Sequence, residues 1–375
     1  MTLGILGKHW GIGRKRGNGE NEGVGELGET KSLSTGVYYS NWSIYQRKHS
    51  PNDIDYEAID QVYYAFLVLD SNTGKLKFSD TWCDLEMPLS GPGGSTLGLV
   101  NVFKQLKVKY PKLKVSFSIG GWGANESFKV VARNEHLVTE FARSCGEFLR
   151  NYEFDGIDID WEYPQTTEEG KQFLNMIRLV KQEMNRVKPG SSLSIAAPAG
   201  DDNIKHLRIG DMNQYLDRWN LMCYDFTGSW SQKSGYHSNL YGFNGDNSLN
   251  TSEVVHKYIK QGASTHKIIV GMPLYGRIFP GTKKIGTPFD TSKIQGEGTI
   301  DYKQLPLPGS QEVFDDKAIS VYCYDNSQLI TYDNSTTIRY KAEFIKNNHL
   351  GGGMFWDSAG DSRPSLITEF SRACK

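Results

Sequence analysis

Eight short apolar runs rich in β-branched and aromatic residues, alternating with longer amphipathic ones, predict an α/β chain folded as a TIM (β/α)8 barrel. Two further observations support this. A length of 375 residues suits one large barrel. The gap before the eighth run is about sixty residues longer than a loop needs, which predicts a small α+β insertion domain between strand 7 and helix 7.

The elements follow in order from Gly36. GVYYSNW (36–42) and QVYYAFLVL (61–69) read as the first two strands, buried on both faces as parallel strands are. LVNVFKQLKVKY (99–110) repeats apolar residues at helical spacing and precedes LKVSFSIGG (113–121). LVTEFARSCGEFLRNY (137–152) leads to FDGIDIDW (154–161), and EGKQFLNMIRLVKQEMNRV (169–187) to LSIAAPA (193–199). WNLMCYD (219–225) is the sixth strand, SEVVHKYIKQG (252–262) its helix, and KIIVGMPL (267–274) the seventh strand. IDYKQLP, AISVYCYD and QLITYDN, within 300–334, read as short strands or turns. IRYKAEFIKNN (338–348), GGGMFWD (351–357) and PSLITEFSRACK (364–375) complete the pattern. The expected domains are therefore 35–278 plus 335–375 for the barrel and 279–334 for the insertion. Residues 1–34, rich in glycine and mixed charge, read as a disordered tail.

Composition excludes several classes. A net charge of −1 and a pI near 6.7 predict no nucleic-acid partner. No apolar run reaches the length of a membrane span, so no membrane partner is expected. The five cysteines are odd in number and far apart, which gives neither a disulfide framework nor a zinc spacing. GKHWGIGRKRG lacks the strand and the Gly-Lys-Ser/Thr ending of a phosphate loop. The visible N-terminus has no export signal, so the expected location is cytoplasmic or non-classically released, or extracellular if the native N-terminus is missing. Glycosylation triplets start at Asn41, Asn125, Asn250 and Asn334.

The densest chemistry lies in FDGIDIDWEYP (154–164), with four carboxylates in eight residues. Alternate strand residues share a face, so Asp158, Asp160 and Glu162 project together, with about 6.6–6.8 Å between successive positions. Ile157, Ile159 and Trp161 take the opposite face, and Asp155 has the wrong parity to join the three acids. Crowded like charges resist ionising together, so at least one carboxyl keeps a proton near neutral pH. Glu162, outermost and longest, is the candidate general acid at the C-terminal mouth, and Asp160 can share or relay its proton. Two other readings stand beside this one: a magnesium or calcium site, although acids in a line splay rather than wrap an ion, and a structural ion-paired cluster.

The residues at this point resemble a known family. DGIDIDWEYP matches the DxxDxDxE signature of glycoside hydrolase family 18, the chitinases and their relatives. Ser118-Ile119-Gly120-Gly121-Trp122 is similar to its SxGG motif, one strand earlier. Tyr38, Tyr64-Ala65-Phe66, Met222-Cys223-Tyr224-Asp225, Tyr275-Gly276-Arg277 and Met354-Phe355-Trp356-Asp357 follow in family order. The resemblance covers roughly residues 35–375, and the lack of a wall-anchoring segment resembles the bacterial-type fungal members.

The resemblance implies a retaining chitinase acting on chitin and chitooligosaccharides, in which the substrate's own 2-acetamido oxygen attacks to give an oxazolinium ion. It implies no cofactor and no metal, and a monomer. Glu162 would be the acid and then the base, Asp160 would hold the acetamido N–H, and Asp158 would share charge with Asp160. Tyr224 would orient the acetamido oxygen, Asp225 and Arg277 would meet the sugar at subsite −1, and Trp356 would be its floor. Tyr38 and Ser118 would support the inner aspartate, Phe66 and Met222 would line the pocket, and Gly120, Gly121 and Asp155 would be structural. Trp42, Trp122 and Trp230 are candidates for further subsites. Taken alone, Trp356, Met222 and Phe66 read as barrel packing. The insertion resembles a cleft wall, although KIQGEGTIDYKQLP lacks the tryptophan often found there. Two alternatives remain open: a non-catalytic lectin on the same fold, against which the presence of Glu162 argues, and an endo-β-N-acetylglucosaminidase on N-glycan cores.

Overall fold

The computed structural model describes residues 32–243, 248–362 and 364–375. The GKHWGIGRKRG stretch and residues 1–31 of the expected tail lie outside them, but the tail's last residue, Ser34, is buried and opens the first strand. β1 (Ser34–Ser40) and β2 (Gln61–Leu69) pair in parallel and are separated by two single 3-10 turns. After β2 the chain makes an excursion: β3 (Leu76–Phe78), then the hairpin β4 (Pro88–Gly91) and β5 (Gly94–Leu97), before α1 (Leu99–Lys109). β6 (Lys114–Gly120) follows, then α2 (Asn125–Ala132), α3 (Glu135–Tyr152), β7 (Gly156–Asp160) and α4 (Thr167–Val187). β8 (Ser192–Ala197) leads through the short α5 (Asp201–Ile204) and α6 (Ile209–Met212) to β9 (Arg218–Leu221), α7 (Thr251–Lys260) and β10 (Ile268–Pro273). Five further strands come next: β11 (Tyr275–Pro280), β12 (Thr299–Asp301), β13 (Gln311–Asp315), β14 (Ser320–Tyr324) and β15 (Gln328–Tyr332). α8 (Ser335–Asn347), β16 (Gly352–Trp356) and α9 (Leu366–Ala373) end the fold.

The strand order β1-β16-β10-β9-β8-β7-β6-β2 is parallel throughout, and the β1–β2 pairing closes it. The expected (β/α)8 barrel is thus the observed one. Apolar strand faces and the helix stripes over them form one large core, which includes Ile157, Ile159 and Trp161. A smaller cluster fills the barrel interior: Tyr38, Tyr63, Ala65, Ile269 and Met354, with Phe66, Tyr224 and Trp356 packed against it. Helix starts are capped as their sequences suggest; Asn134, Thr166 and Asn250 accept from Leu137, Glu169 and Glu253 backbone N–H groups.

Several boundaries differ from the sequence reading, for physical reasons. β9 stops at Leu221, so Met222–Asp225 runs beyond the ladder, and Asp225 takes a left-handed φ of 58°. The long inter-strand segment starts at Tyr275 rather than 279, because β11 follows β10 directly. It forms one antiparallel sheet, β12-β11-β15-β14-β13, and among its described residues the only helical turns are 3-10 ones. The expected α component is therefore absent from those residues. The glycosylation triplets gain no support at two positions: Asn41 and Asn250 are buried, and both spend Nδ2 on internal hydrogen bonds.

Candidate active site

The inner acid is built first, by the barrel itself. Asp158 sits in register between Ser118 on β6 and Ser194 on β8. Both hydroxyls donate to it, Ser118 at 2.7 Å to Oδ2 and Ser194 at 2.6 Å to Oδ1. From elsewhere in the interior, Tyr38 Oη donates at 2.8 Å to Oδ2 and Asn220 Nδ2 at 3.1 Å to Oδ1. Asn220 is itself oriented by the Tyr63 hydroxyl, which donates to its Oδ1 at 3.1 Å. Burial pushes the Asp158 carboxyl up, and the four donors pull it back. Those donors occupy both oxygens and leave little of the carboxylate for a cation.

Asp160 is also buried, and its Oδ1 has no hydrogen-bond partner. Burial first, then the charges of Glu162 and Asp158, hold its carboxyl well above the ordinary range. The Glu162 charge beside it makes it costly for both carboxyls to ionise, so the pair holds a proton between them near neutral pH. Glu162 is raised by burial and by the charge of Asp225, with Asp160 and the Tyr163 hydroxyl acting the other way. β7 ends at Asp160, so Glu162 stands past the last ladder pair, above the same mouth. Asp155 faces away, as its parity requires: Oδ2 accepts from the Val115 N–H at 2.9 Å and pairs with Lys107 at 2.9 Å.

Two glycines allow these elements to approach. A Cβ on Gly120 (φ +109°) would lie 2.4 Å from the Asp160 carbonyl, and one on Gly121 (φ +88°) would lie 2.6 Å from the Phe66 ring. Phe66 stacks on Trp356 with ring centroids 5.6 Å apart, and Tyr38 and Trp42 flank the same indole at 5.4 and 6.2 Å. These rings form an aromatic floor from the ends of β1, β2 and β16. Non-proline cis peptide bonds occur at Ala65–Phe66, Glu162–Tyr163 and Trp356–Asp357.

The opposite wall comes from β9 and the antiparallel sheet. Tyr224 packs edge-on to Tyr275 at 6.3 Å, and its hydroxyl is raised by burial and then by Asp160, Asp225 and Glu162. Asp225 Oδ1 accepts from Tyr275 Oη at 2.7 Å and from Arg277 Nε at 2.8 Å, with Arg277 Nη2 at 2.7 Å. The Arg277 guanidinium also lies 4.8 Å from the ring of Trp230, which is 59% exposed. Met222 is buried. Trp122 is 84% exposed and pairs with no other ring among the described residues; it follows Gly121, whose N–H donates to the Asp160 carbonyl at 3.0 Å.

Several residues were missed by sequence reasoning. Ser194 and Asn220 could have been found as polar residues in otherwise apolar strands. Tyr163 and Tyr275 lay inside quoted motifs without an assigned role, and Tyr63 and His237 carried no such signal. Neither did Arg47, whose fork bridges Asp357 at 2.7 Å and Asp301 at 2.8 Å, tying the floor to the wall. Chemically, the site offers a proton shared between a buried and a half-buried carboxyl, an unpartnered acceptor, an aromatic floor and an acid fixed by arginine. That set can protonate a leaving oxygen while stabilising neighbouring positive charge.

Comparisons with known proteins agree with this geometry. The profile of glycosyl hydrolases family 18 matches residues 34–361. The sporulation-specific chitinase 2 of Saccharomyces cerevisiae is 36% identical over 399 residues, spanning 91% of this chain and 78% of the relative. Endochitinase 1 of Metarhizium robertsii is 36% identical over 343 residues, spanning 87% of this chain and 81% of the relative. The Ostrinia furnacalis Group II chitinase catalytic domain 2, solved in complex with penta-N-acetylchitooctaose, superposes with a TM-score of 0.80 at 25% identity, covering 91% of this chain and 96% of that one.

Proposed function

The chain belongs to glycosyl hydrolase family 18, and from that membership and the carboxylate array we infer a chitinase that hydrolyses β-1,4-linked N-acetylglucosamine polymers and oligomers. It works with retention and substrate assistance, the route known for this family. The single observation that carries the reading at atomic level is the buried, unpartnered Oδ1 of Asp160. A buried acceptor left unmade costs about 1–3 kcal/mol. An acetamido N–H arriving from the substrate is a donor of the right kind to fill it.

In this reading Asp160 passes its shared proton toward Glu162 as it takes up the acetamido N–H, and ionised Asp160 then stabilises the oxazolinium charge. Glu162 protonates the glycosidic oxygen and afterwards takes a proton from the incoming water. Asp158, held by four donors, keeps the charge balance beneath. Tyr224 directs the acetamido oxygen at the anomeric carbon. Asp225, fixed by Arg277 and Tyr275, meets the sugar at subsite −1, with Trp356 under its apolar face. Monomeric action belongs to the same proposal, and sedimentation at micromolar concentration checks it. Among the described residues no helix is long and apolar enough to cross a membrane.

Partly de-N-acetylated chitooligosaccharides test the substrate-assisted route. Cleavage is expected only where the sugar at subsite −1 keeps its acetyl group, as read from the product ends by mass spectrometry. Equal cleavage behind glucosamine and N-acetylglucosamine would reject the oxazolinium route.

A further inference from the structure

We propose that His237 is a positioning residue for the reaction, acting as a neutral imidazole that fixes the backbone of Asp225 against Tyr275 and so aims the Asp225 carboxylate at the sugar. The proposal rests on the reading above in which Asp225 faces subsite −1. His237 lies on the chain between β9 and α7 and is fully buried, with 0% of its surface exposed. Its Nδ1 accepts the Asp225 backbone N–H at 3.2 Å, and its Nε2 faces the Tyr275 carbonyl at 3.2 Å.

The partners assign the tautomer. A backbone N–H can only donate and a carbonyl can only accept, so Nδ1 is bare and Nε2 carries the proton. One ring therefore joins the main chains of two residues whose side chains are also bonded, Tyr275 Oη to Asp225 Oδ1 at 2.7 Å. The double link acts on a residue that needs one. Asp225 has a left-handed φ of 58°, a region costly for any residue with a Cβ and retained only where the surroundings over-determine it. Without the Nδ1 acceptor, its N–H would be a buried donor facing nothing, and relaxation toward ordinary φ would swing the carboxylate away.

The charged groups around the ring keep it neutral. Burial first, then the Arg277 and Lys341 charges, push His237 well below its usual value. Asp225 Oδ1, at 3.8 Å from Nδ1, is the opposing charge, and it is already engaged by Arg277. A histidine that accepts from one main chain and donates to another has no role for a second ring proton.

The test compares three replacements. In His237→Asn the side-chain oxygen falls where Nδ1 was and can still accept from Asp225. In His237→Gln the amide reaches the Nε2 position and serves Tyr275 instead. His237→Leu serves neither. On a chitin pentasaccharide, the Gln and Leu variants are expected to lose about tenfold to a hundredfold in kcat, the scale of a misplaced reacting group. Their KM should stay within about threefold. The Asn variant should stay within about fivefold of wild-type kcat.

A second readout is independent of packing. The Asp225 charge raises the Glu162 carboxyl, so displacing Asp225 lowers it. The alkaline limb of the kcat/KM profile should then move to lower pH in the Gln variant and stay in place in the Asn variant. Equal kcat in the Asn and Gln variants, or losses that follow only their melting temperatures, would overturn the proposal. If His237→Leu does not fold, the Asn–Gln comparison alone decides. An inactive wild type would instead sink the reading of the site, and this proposal with it.

Discussion

Replacing Tyr38 with Phe removes one oxygen and keeps the rings that pack the floor. The Tyr38 ring stacks on Tyr63 at 4.6 Å and leans on Trp356 at 5.4 Å, contacts that Phe can reproduce. Lost are the 2.8 Å hydrogen bond to Asp158 Oδ2, one of four, and the 3.3 Å bond that Tyr38 Oη accepts from Asn220 Nδ2. A hydrogen bond to a charged group contributes about 1.5–3 kcal/mol, so its loss disfavours the ionised form of Asp158. The sign follows from what the donors do. Burial raises this carboxyl and each donor lowers it, so losing one raises it further. Asp158 then competes for the proton that Asp160 and Glu162 share. Once neutral, it also withdraws one of the charges that raise Asp160. The protonated pair is depopulated, and kcat should fall about tenfold to a hundredfold with the alkaline limb moved to lower pH. KM on a chitin pentasaccharide should hold. Measurement of kcat, KM and melting temperature across pH 4 to 9 checks this. A variant with near wild-type kcat and an unmoved alkaline limb would refute the account of Asp158.

Further outcomes follow from the same geometry. Asp160 has its folded-state carboxyl raised, so its contribution to stability is fully present below the unfolded value near 3.9 and is lost as pH rises through the folded one. Asp160→Asn should therefore melt above wild type at pH 7, by about 1–2 °C per kcal/mol relieved, with the gap closing toward pH 4; a variant melting below wild type at pH 7 would contradict the burial penalty. Arg277→Lys keeps the charge but cannot reach Asp225, the Glu297 carbonyl and the Trp230 face together. A loss of about tenfold in kcat/KM is expected, near 1.4 kcal/mol, and wild-type kinetics would deny Arg277 its assigned place.

Much of the barrel was legible because its signals are local. QVYYAFLVL is β2 residue for residue, and Ile157 and Ile159 are buried opposite the acids as strand parity requires. The site was legible only along β7. Asp158 and Asp160 share a face through the ladder, but Glu162 lies beyond it, where period-two reasoning no longer applies. The partners of Asp158 come from β1, β6, β8 and β9, far apart in sequence, and closure of the barrel alone brings them together. The excursion of β3, β4 and β5 was missed because its strands are short and largely exposed, without the apolar alternation that marks a buried strand. The segment after β10 was started late because Tyr275-Gly276-Arg277 was read with the barrel motifs, although it opens a different sheet.

The most direct test of the central claim is hydrolysis of a chitin pentasaccharide by wild type and Glu162→Gln, with newly formed anomers read by NMR before mutarotation. The account predicts β-anomeric products from wild type and a loss of about a hundredfold or more in the variant, which should still bind the oligosaccharide. Fresh α-anomers, no cleavage by wild type, or wild-type rates in the variant would contradict it.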